Sequence, residues 1–248
     1  NQSNNFRDAN NSGNSRRGPS ANIDGHLDGL WYMLRNACNW RGLPEEFGKW
    51  ITVYQYFNRL SHAGFFDYLK SLFCSDPDAE VLFGDSTHIK AHQFAMNSPQ
   101  SIEDQCIGKS RGGMNTKLHL LVDGLGKLAE LLMTGGNVND HKAAPELVAK
   151  ARDCTVVMDK GYDSKELRMQ IREQGGEPCI PCRENVKAPE EYDQELYKSR
   201  HCVENFFQRL KVFKRCAMRC EKTSRMFLAF VMLAVSVIYA KDGLLPQL

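Results

Sequence analysis

Two short apolar segments, each running directly into an aspartate, constrain the fold of this chain more than any other feature. Residues 81–84 (Val-Leu-Phe-Gly) precede Asp85, and residues 155–158 (Thr-Val-Val-Met) precede Asp159. Short apolar runs of this kind predict buried strands, which need a sheet covered by other elements. An isolated strand-end aspartate is typical of a turn. Two of them suggest a bound cation, because a desolvated carboxylate is costly unless its charge is compensated.

The pattern around these strands predicts an α/β fold with a mixed sheet. Residues 117–123 and 128–134 read as two strands of a hairpin, and residues 178–183 as an edge strand. Helical spacing predicts helices over residues 139–151, 164–174 and 198–215, followed by a last apolar helix. Strands and helices in this order indicate a sheet with helices packed on it.

The amino-terminal part has a different character. Residues 1–22 are rich in Asn, Ser, Gly and Arg, which predicts disorder. Residues 23–78 carry three apolar stripes at helical spacing and predict a small helical module. This module is either a helix-turn-helix DNA reader or a packing subdomain. The predicted α/β domain occupies residues 79–248.

Charge and apolar content limit the class of protein. The net charge of the 248 residues is only +2, but residues 198–225 hold nine Lys and Arg against two Glu. Such a basic stripe fits phosphate binding, although a solvated helix face is an equal alternative. Residues 226–240 are too few to span a bilayer and predict a core helix, so no membrane partner is expected. The nine cysteines have no disulfide or complete zinc spacing, and reduced thiols in a cytoplasmic protein fit them.

A third acid lies in the predicted helix near residue 200. Four polar residues follow one another at steps of three, four and seven positions: Tyr197, Arg200, Glu204 and Lys211. On a continuous helix these side chains fall within roughly 60° of one another, beside a separate apolar face. A surface ion pair explains Arg200 with Glu204, but it leaves the Tyr and the Lys without a reason.

The spacing Tyr197-x2-Arg200-x3-Glu204-x6-Lys211 resembles the Y-(2)-R-(3)-E-(6)-K signature of bacterial insertion-sequence transposases with three catalytic acids, the YREK group. Three other segments are similar to the same group: residues 84–87 (Gly-Asp-Ser-Thr), 108–113 (Gly-Lys-Ser-Arg-Gly-Gly) and 159–164 (Asp-Lys-Gly-Tyr-Asp-Ser). Residues 40–44 (Trp-Arg-Gly-Leu-Pro) resemble the amino-terminal region of the fifth insertion-sequence family. The similarity spans residues 27–240.

The resemblance implies an RNase H-like catalytic domain. Its catalytic and metal-holding acids would be Asp85, Asp159 and Glu204. Its DNA-contacting residues near the cut would be Tyr197, Arg200 and Lys211. An all-carboxylate set suits Mg²⁺ or Mn²⁺, with two ions expected. The implied partner is double-stranded DNA, both the element's terminal inverted repeats and the target, bound by a homodimer.

Two rival functions stay open at this stage. One is an RNase H-like nuclease that hydrolyses DNA without strand transfer. The other is a truncated, non-catalytic DNA-binding remnant that acts as a repressor. The remaining acids have structural explanations: a helix start for Asp163, a hairpin turn for Asp123 and a helix cap for Asp140. Residues 108–113 are interpreted as a basic loop that contacts DNA. His88 and His92 are expected not to be metal ligands.

Overall fold

The computed structural model describes residues 23–74, 79–96, 105–183 and 189–245. The disorder predicted for residues 1–22 lies outside these ranges. The helices are α1 (Ile23–Asn36), α2 (Trp50–His62), α3 (Phe65–Phe73), α4 (Gln93–Met96), α5 (Asp140–Leu147), α6 (Lys165–Glu173), α7 (Gln194–Lys198), α8 (His201–Lys211), α9 (Lys214–Ala217) and α10 (Ser224–Asp242). The strands are β1 (Val81–Ala91), β2 (Gly108–Ser110), β3 (Gly113–Val122), β4 (Leu128–Gly135), β5 (Thr155–Met158), β6 (Glu177–Cys179) and β7 (Met218–Arg219).

The strands form one mixed sheet with β1 near its centre. β1 pairs antiparallel with β3, which pairs antiparallel with β4. On its other side β1 runs parallel to β5, and β5 runs parallel to β6. This arrangement of three antiparallel strands followed by two parallel strands is that of an RNase H-like core. The predicted mixed α/β sheet is therefore confirmed.

Helices cover both faces of the sheet, which explains why its central strands are apolar on both sides. On one face, α5 and α6 bury Leu147 and Ile171 against Leu82 and Met158. On the other face, α8 and α10 belong to the larger core cluster. Each strand therefore directs alternate side chains into two different environments.

Strand β1 is longer than its apolar run predicts. It continues to Ala91 and keeps its antiparallel register with β3 as far as Lys90 opposite Asn115. Asp85 lies opposite Leu120, in the middle of the strand. The prediction that this strand ends at Asp85 is wrong, because backbone pairing with β3 extends it through a polar stretch.

The predicted helix over residues 198–215 is broken into three pieces, α7, α8 and α9. Arg200 lies at the junction of α7 and α8, and Phe213 is extended between α8 and α9. Tyr197 therefore belongs to a different helix from Glu204 and Lys211. The expectation that the four signature residues share one helix is wrong.

The amino-terminal helices α1, α2 and α3 form the predicted helical region. Residues 40–48 between α1 and α2 contain two short 3-10 turns. Gly64 takes a left-handed conformation (φ 76°) that lets α3 follow α2 directly. Buried side chains of these helices, including Phe57 and Phe73, belong to the same core cluster as α8 and α10.

The last helix, α10, contributes many of the buried side chains of this core. It has 19 residues with a mean hydropathy of 1.6, so its length and composition alone would suffice to cross a membrane. Ten of its residues are buried within the protein, however. The Phe230 ring lies 4.6 Å from Phe57, and the Tyr239 ring lies 4.8 Å from Phe73. These contacts agree with the predicted core helix.

Candidate active site

The two aspartates lie side by side because the sheet places their strands in parallel. Gly84 of β1 is the register partner of Met158 of β5, so Asp85 and Asp159 follow a paired position. Burial raises the pKa of the Asp85 carboxyl, and the negative charge of Asp159 raises it further. The backbone N–H of Ser86 donates to Asp85 Oδ1 at 2.7 Å and opposes this shift. A cationic partner would favour the charged form of Asp85.

Local geometry fixes both carboxylates. A Cβ at Gly84 would lie 2.4 Å from Met158 Cε and 2.9 Å from Met158 Cγ, so the glycine leaves room for the Met158 side chain next to Asp85. Beyond β5, the N–H of Gly161 donates to Asp159 Oδ1 at 2.7 Å. The turn after β5 thus holds the Asp159 carboxylate without using a side chain.

Arg200 is the partner of this acidic pair. Its Nη1 donates to Asp85 Oδ2 at 2.7 Å, and its Nη2 donates to Glu204 Oε1. Burial lowers the pKa of Arg200, but Asp85 and Glu204 outweigh it and the pKa is raised. The Tyr197 ring centre lies 5.9 Å from the Arg200 guanidinium, within cation–π range. Arg200 therefore links strand β1 to Tyr197 of α7 and to Glu204 of α8.

Lys211 reaches the same strand two residues further along. Its Nζ donates to the hydroxyl of Thr87, and burial lowers its pKa. Asp85 and Thr87 point to the same face of β1 because side chains alternate along a strand. The predicted Arg, Glu and Lys are therefore brought together on one face of β1 by α8 and its N-cap residue, whereas Tyr197 lies on α7.

The donor atoms suit a hard divalent cation, but they are arranged around an arginine. Among the described residues, no group of three or more His, Cys, Asp or Glu side chains is placed to hold a metal ion. Asp85 and Asp159 are adjacent, whereas Glu204 is linked to Asp85 through Arg200. All three supply carboxylate oxygens, the ligands preferred by Mg²⁺ and Mn²⁺. The residues therefore fit such an ion in chemistry, and Arg200 balances part of their charge.

The predicted basic stripe does not form one exposed surface. Arg215 and Arg219 are only 2% and 0% exposed. Arg215 Nε donates to Glu221 Oε1 at 2.6 Å, and Arg219 Nη1 donates to the Gln105 carbonyl at 2.7 Å. These two arginines hold the core together, so counting them as phosphate contacts is wrong. Exposed basic side chains in this stretch include Lys198, Lys214 and Lys222.

Asp140 has a different role from the predicted one. Asn139 occupies the N-cap position of α5, and Asp140 is the first helical residue. Its Oδ1 accepts from Ser86 Oγ at 2.9 Å and from Lys117 Nζ at 3.0 Å. The helix-cap prediction for Asp140 is therefore wrong. No sequence signal identifies this role, because Ser86 lies 54 residues away in the chain.

The other polar motifs largely follow their structural explanations. Asp123 accepts from two backbone N–H groups of the β3–β4 turn. Asp163 is ion-paired with the buried Arg168 at 2.8 Å, and is therefore structural although it does not cap the helix. His88 Nδ1 is hydrogen-bonded to Asn115 Oδ1 at 2.7 Å. Residues 108–113 form the β2–β3 hairpin rather than a loop, with Lys109 exposed.

The fold and the site together define an RNase H-like α/β protein with carboxylates on adjacent parallel strands. A family model described as "Transposase DDE domain" matches residues 76–238. The chain belongs to this family of DDE transposases. A second model, described as "Putative transposase of IS4/5 family", matches residues 6–69. The fold and the enzyme class implied by the resemblance are thus confirmed.

Curated relatives carry the same kind of name. The "Putative transposase for insertion sequence element IS6501" of Brucella ovis is 35% identical over 133 residues, which are 52% of this chain and all of the relative. The "Putative transposase for insertion sequence element IS402" of Burkholderia cepacia is 29% identical over 140 residues, covering 52% of this chain and 64% of the relative. Among solved structures, a chain of a pre-cleavage Mos1 transpososome is 11% identical in sequence. The match covers 97% of this chain and 85% of the Mos1 chain. Its TM-score of 0.29 indicates only a distant likeness.

Proposed function

We propose that this transposase belongs to the YREK group and cuts DNA at insertion-sequence ends, then joins those ends to target DNA. Asp85, Asp159 and Glu204 are the proposed catalytic acids. The observation that carries this proposal is the adjacency of Asp85 and Asp159 on parallel strands, with Arg200 linking the pair to Glu204. Carboxylates grouped in this way, rather than spread over the surface, need a role that repays their mutual repulsion.

The proposed cofactor is a pair of Mg²⁺ or Mn²⁺ ions held by these three acids. Such ions activate the attacking hydroxyl and neutralise the leaving oxygen in phosphodiester chemistry. The part of this chain is to position the carboxylates: the Gly161 N–H and the Ser86 N–H each hold one oxygen of an aspartate. The Glu204 side chain is 46% exposed and is bound to Arg200, so its approach to the pair would require this ion pair to open.

Arg200, Lys211 and Tyr197 are the proposed DNA contacts. Arg200 offers a planar fork suited to phosphate, and Lys211 a single positive charge. Both lie on the face of β1 that carries Asp85, so a phosphate bound there would be adjacent to the acids. The Tyr197 ring is partly buried against Tyr192 and provides an apolar surface for a base or sugar.

The proposed substrate is double-stranded DNA, comprising the terminal inverted repeats and the target. One site per chain suggests that two chains act together on two ends, as a homodimer formed on DNA. Light scattering of the complex with paired ends tests this arrangement. Full joining activity by a complex with one chain per two ends would refute it.

A strand-transfer assay on pre-cut element ends, with supercoiled target DNA and Mg²⁺, tests the function itself. Joined products are expected. Hydrolysis alone would favour the nuclease alternative, and binding alone would favour the repressor alternative.

Substitution of the acids tests their assignment. Asp85→Asn, Asp159→Asn and Glu204→Gln should each abolish cleavage while DNA binding is retained, because the acids act on the scissile phosphate rather than on the fold. Glu173→Gln, which changes an exposed acid on α6, is the matched control and should keep wild-type activity. Cleavage above a few per cent of wild type in two of the three acid variants would refute the assignment.

A further inference from the structure

A second polar cluster lies behind the acids, on the opposite face of β1. It consists of Ser86 of β1, Lys117 and His119 of β3, Asp140 of α5 and Tyr162 of the turn after β5. Lys117, His119 and Tyr162 are buried. So many polar groups are retained inside a fold only when they satisfy one another.

Asp140 is the acceptor at the centre of this cluster. Its Oδ1 accepts from Ser86 Oγ at 2.9 Å and from Lys117 Nζ at 3.0 Å. Lys117 Nζ also donates to the Val138 carbonyl at 2.7 Å, next to the start of α5. The buried ammonium group of Lys117 therefore depends on Asp140 for its counter-charge.

The cluster reaches the first catalytic aspartate through a single residue. Ser86 donates its hydroxyl to Asp140 and its backbone N–H to Asp85 Oδ1 at 2.7 Å. Fixing the Ser86 side chain on one face of β1 thus fixes the backbone donor that orients the Asp85 carboxylate on the other.

The cluster reaches the second aspartate through the turn after β5. A Cβ at Gly161 would lie 2.9 Å from Asp159 Oδ1 and 3.6 Å from Asp140 Oδ2, so both carboxylates flank the same glycine. The next residue, Tyr162, has its hydroxyl 3.1 Å from His119 Nδ1. Burial, and then the charge of Asp140, raise the pKa of Tyr162, which keeps its hydroxyl protonated.

We propose that Asp140 is a positioning residue of the active site, which holds Ser86 and the β5 turn so that Asp85 and Asp159 keep their adjacent placement. This inference rests on the proposed function, since it assigns Asp140 a role toward the proposed catalytic acids. Removing a residue that is hydrogen-bonded to a metal ligand and orients it typically lowers activity or metal affinity about 10–100-fold. Asp140 is expected to act in this range.

The test compares Asp140→Ala, Asp140→Asn and Ser86→Ala in the full chain, with Glu146→Gln on the exposed side of α5 as the control. Each variant is assayed for kcat and KM on element-end DNA, for Mn²⁺ affinity by calorimetry without DNA, and for Tm. Asp140→Ala should lower kcat about 10–100-fold and weaken Mn²⁺ binding, with KM for DNA within about two-fold.

The other two variants separate positioning from folding. Asp140→Asn keeps an oxygen that can accept from Ser86, so it should recover much of the lost kcat. Ser86→Ala leaves the Lys117–Asp140 ion pair intact, and should lower kcat and Mn²⁺ affinity without lowering Tm. Ser86→Ala is informative even if Asp140→Ala fails to fold because Lys117 loses its counter-charge.

Wild-type kcat and Mn²⁺ affinity in Ser86→Ala would overturn the inference and leave Asp140 a role in folding only. The Asp85→Asn variant distinguishes that result from failure of the proposed function. If Asp85→Asn is inactive while Ser86→Ala is unaffected, only the positioning role is refuted. If Asp85→Asn cleaves DNA normally, the acid assignment and this inference are refuted together.

Discussion

Replacing Arg200 by Gln should destabilise the metal-free protein and increase its response to a divalent cation. Arg200 is the cation that joins Asp85 to Glu204. Removing its charge leaves two carboxylates, with Asp159 beside them, without that compensation. A divalent cation placed among the same oxygens would restore the balance, so metal binding should become more favourable in the variant.

The size of the effect follows from the exposure of the partners. The Arg200 and Asp85 side chains are each 19% exposed, whereas Glu204 is 46% exposed. Loss of one partner from a fully buried pair costs about 3–5 kcal/mol, and an exposed pair contributes about 0.2–1 kcal/mol. The Glu204 contact is screened by solvent and belongs to the lower range. We therefore expect a loss of about 1–3 kcal/mol, or roughly 2–12 °C in Tm for a chain of this length.

Thermal unfolding with and without Mn²⁺ measures both parts of this prediction. Lys198→Gln is the matched control, because Lys198 pairs with Glu195 on an exposed helix close by and should change Tm little. The expected result is a lower Tm for Arg200→Gln without metal and a larger upward shift on adding Mn²⁺. An unchanged Tm together with an unchanged Mn²⁺ shift would refute the view that Arg200 balances these carboxylates.

Three further predictions concern the fold around the site. Glu221→Ala should lower the free energy of unfolding, measured in urea, by about 3–5 kcal/mol, because it leaves the buried charge of Arg215 without its partner. A loss below about 1 kcal/mol would contradict this. Burial lowers the pKa of His119 from 6.5 to about 4. The free energy of unfolding should therefore fall by up to about 3 kcal/mol as the pH drops from about 6.5 to about 4. Unfolding measured across this pH range should show a weaker dependence on pH for His119→Gln. Gly84→Ala should lower the free energy of unfolding by about 1–3 kcal/mol and reduce cleavage, because its methyl group meets the Met158 side chain. Wild-type stability and cleavage would argue against tight packing of Met158 on Gly84.

Much of the fold was predictable because apolar periodicity reports burial directly. The hairpin, the strand before Asp159 and the apolar last helix all appear where the pattern predicts them. The extension of β1 was not predictable, because its continuation is polar. Ser86 and His88 are accommodated by hydrogen bonds to Asp140 and Asn115 rather than by apolar contacts.

The candidate site was predictable only where its residues form a local motif. The spacing of Arg200, Glu204 and Lys211 predicts their grouping, because one helix, α8, carries them, whereas the break before α8 that separates Tyr197 has no sequence signal. Asp140 was missed because its partners are distant in sequence. The burial of Arg215 and Arg219 was not predictable, because a count of charges does not distinguish a buried arginine, bound to carbonyls or to Glu221, from one in solvent.

The shared core of the amino-terminal helices and α10 bears on any attempt to divide this protein. Phe57 and Phe73 lie against Phe230 and Tyr239, which belong to the far end of the chain. Expressing residues 79–248 alone would uncover one side of an apolar 19-residue helix, while residues 23–74 alone would lose the partner that fills their interior. Neither piece is an autonomous folding unit by this criterion. A shortened product of this gene would therefore depend on a chaperone, or on the missing half supplied as a separate polypeptide, to stay in solution.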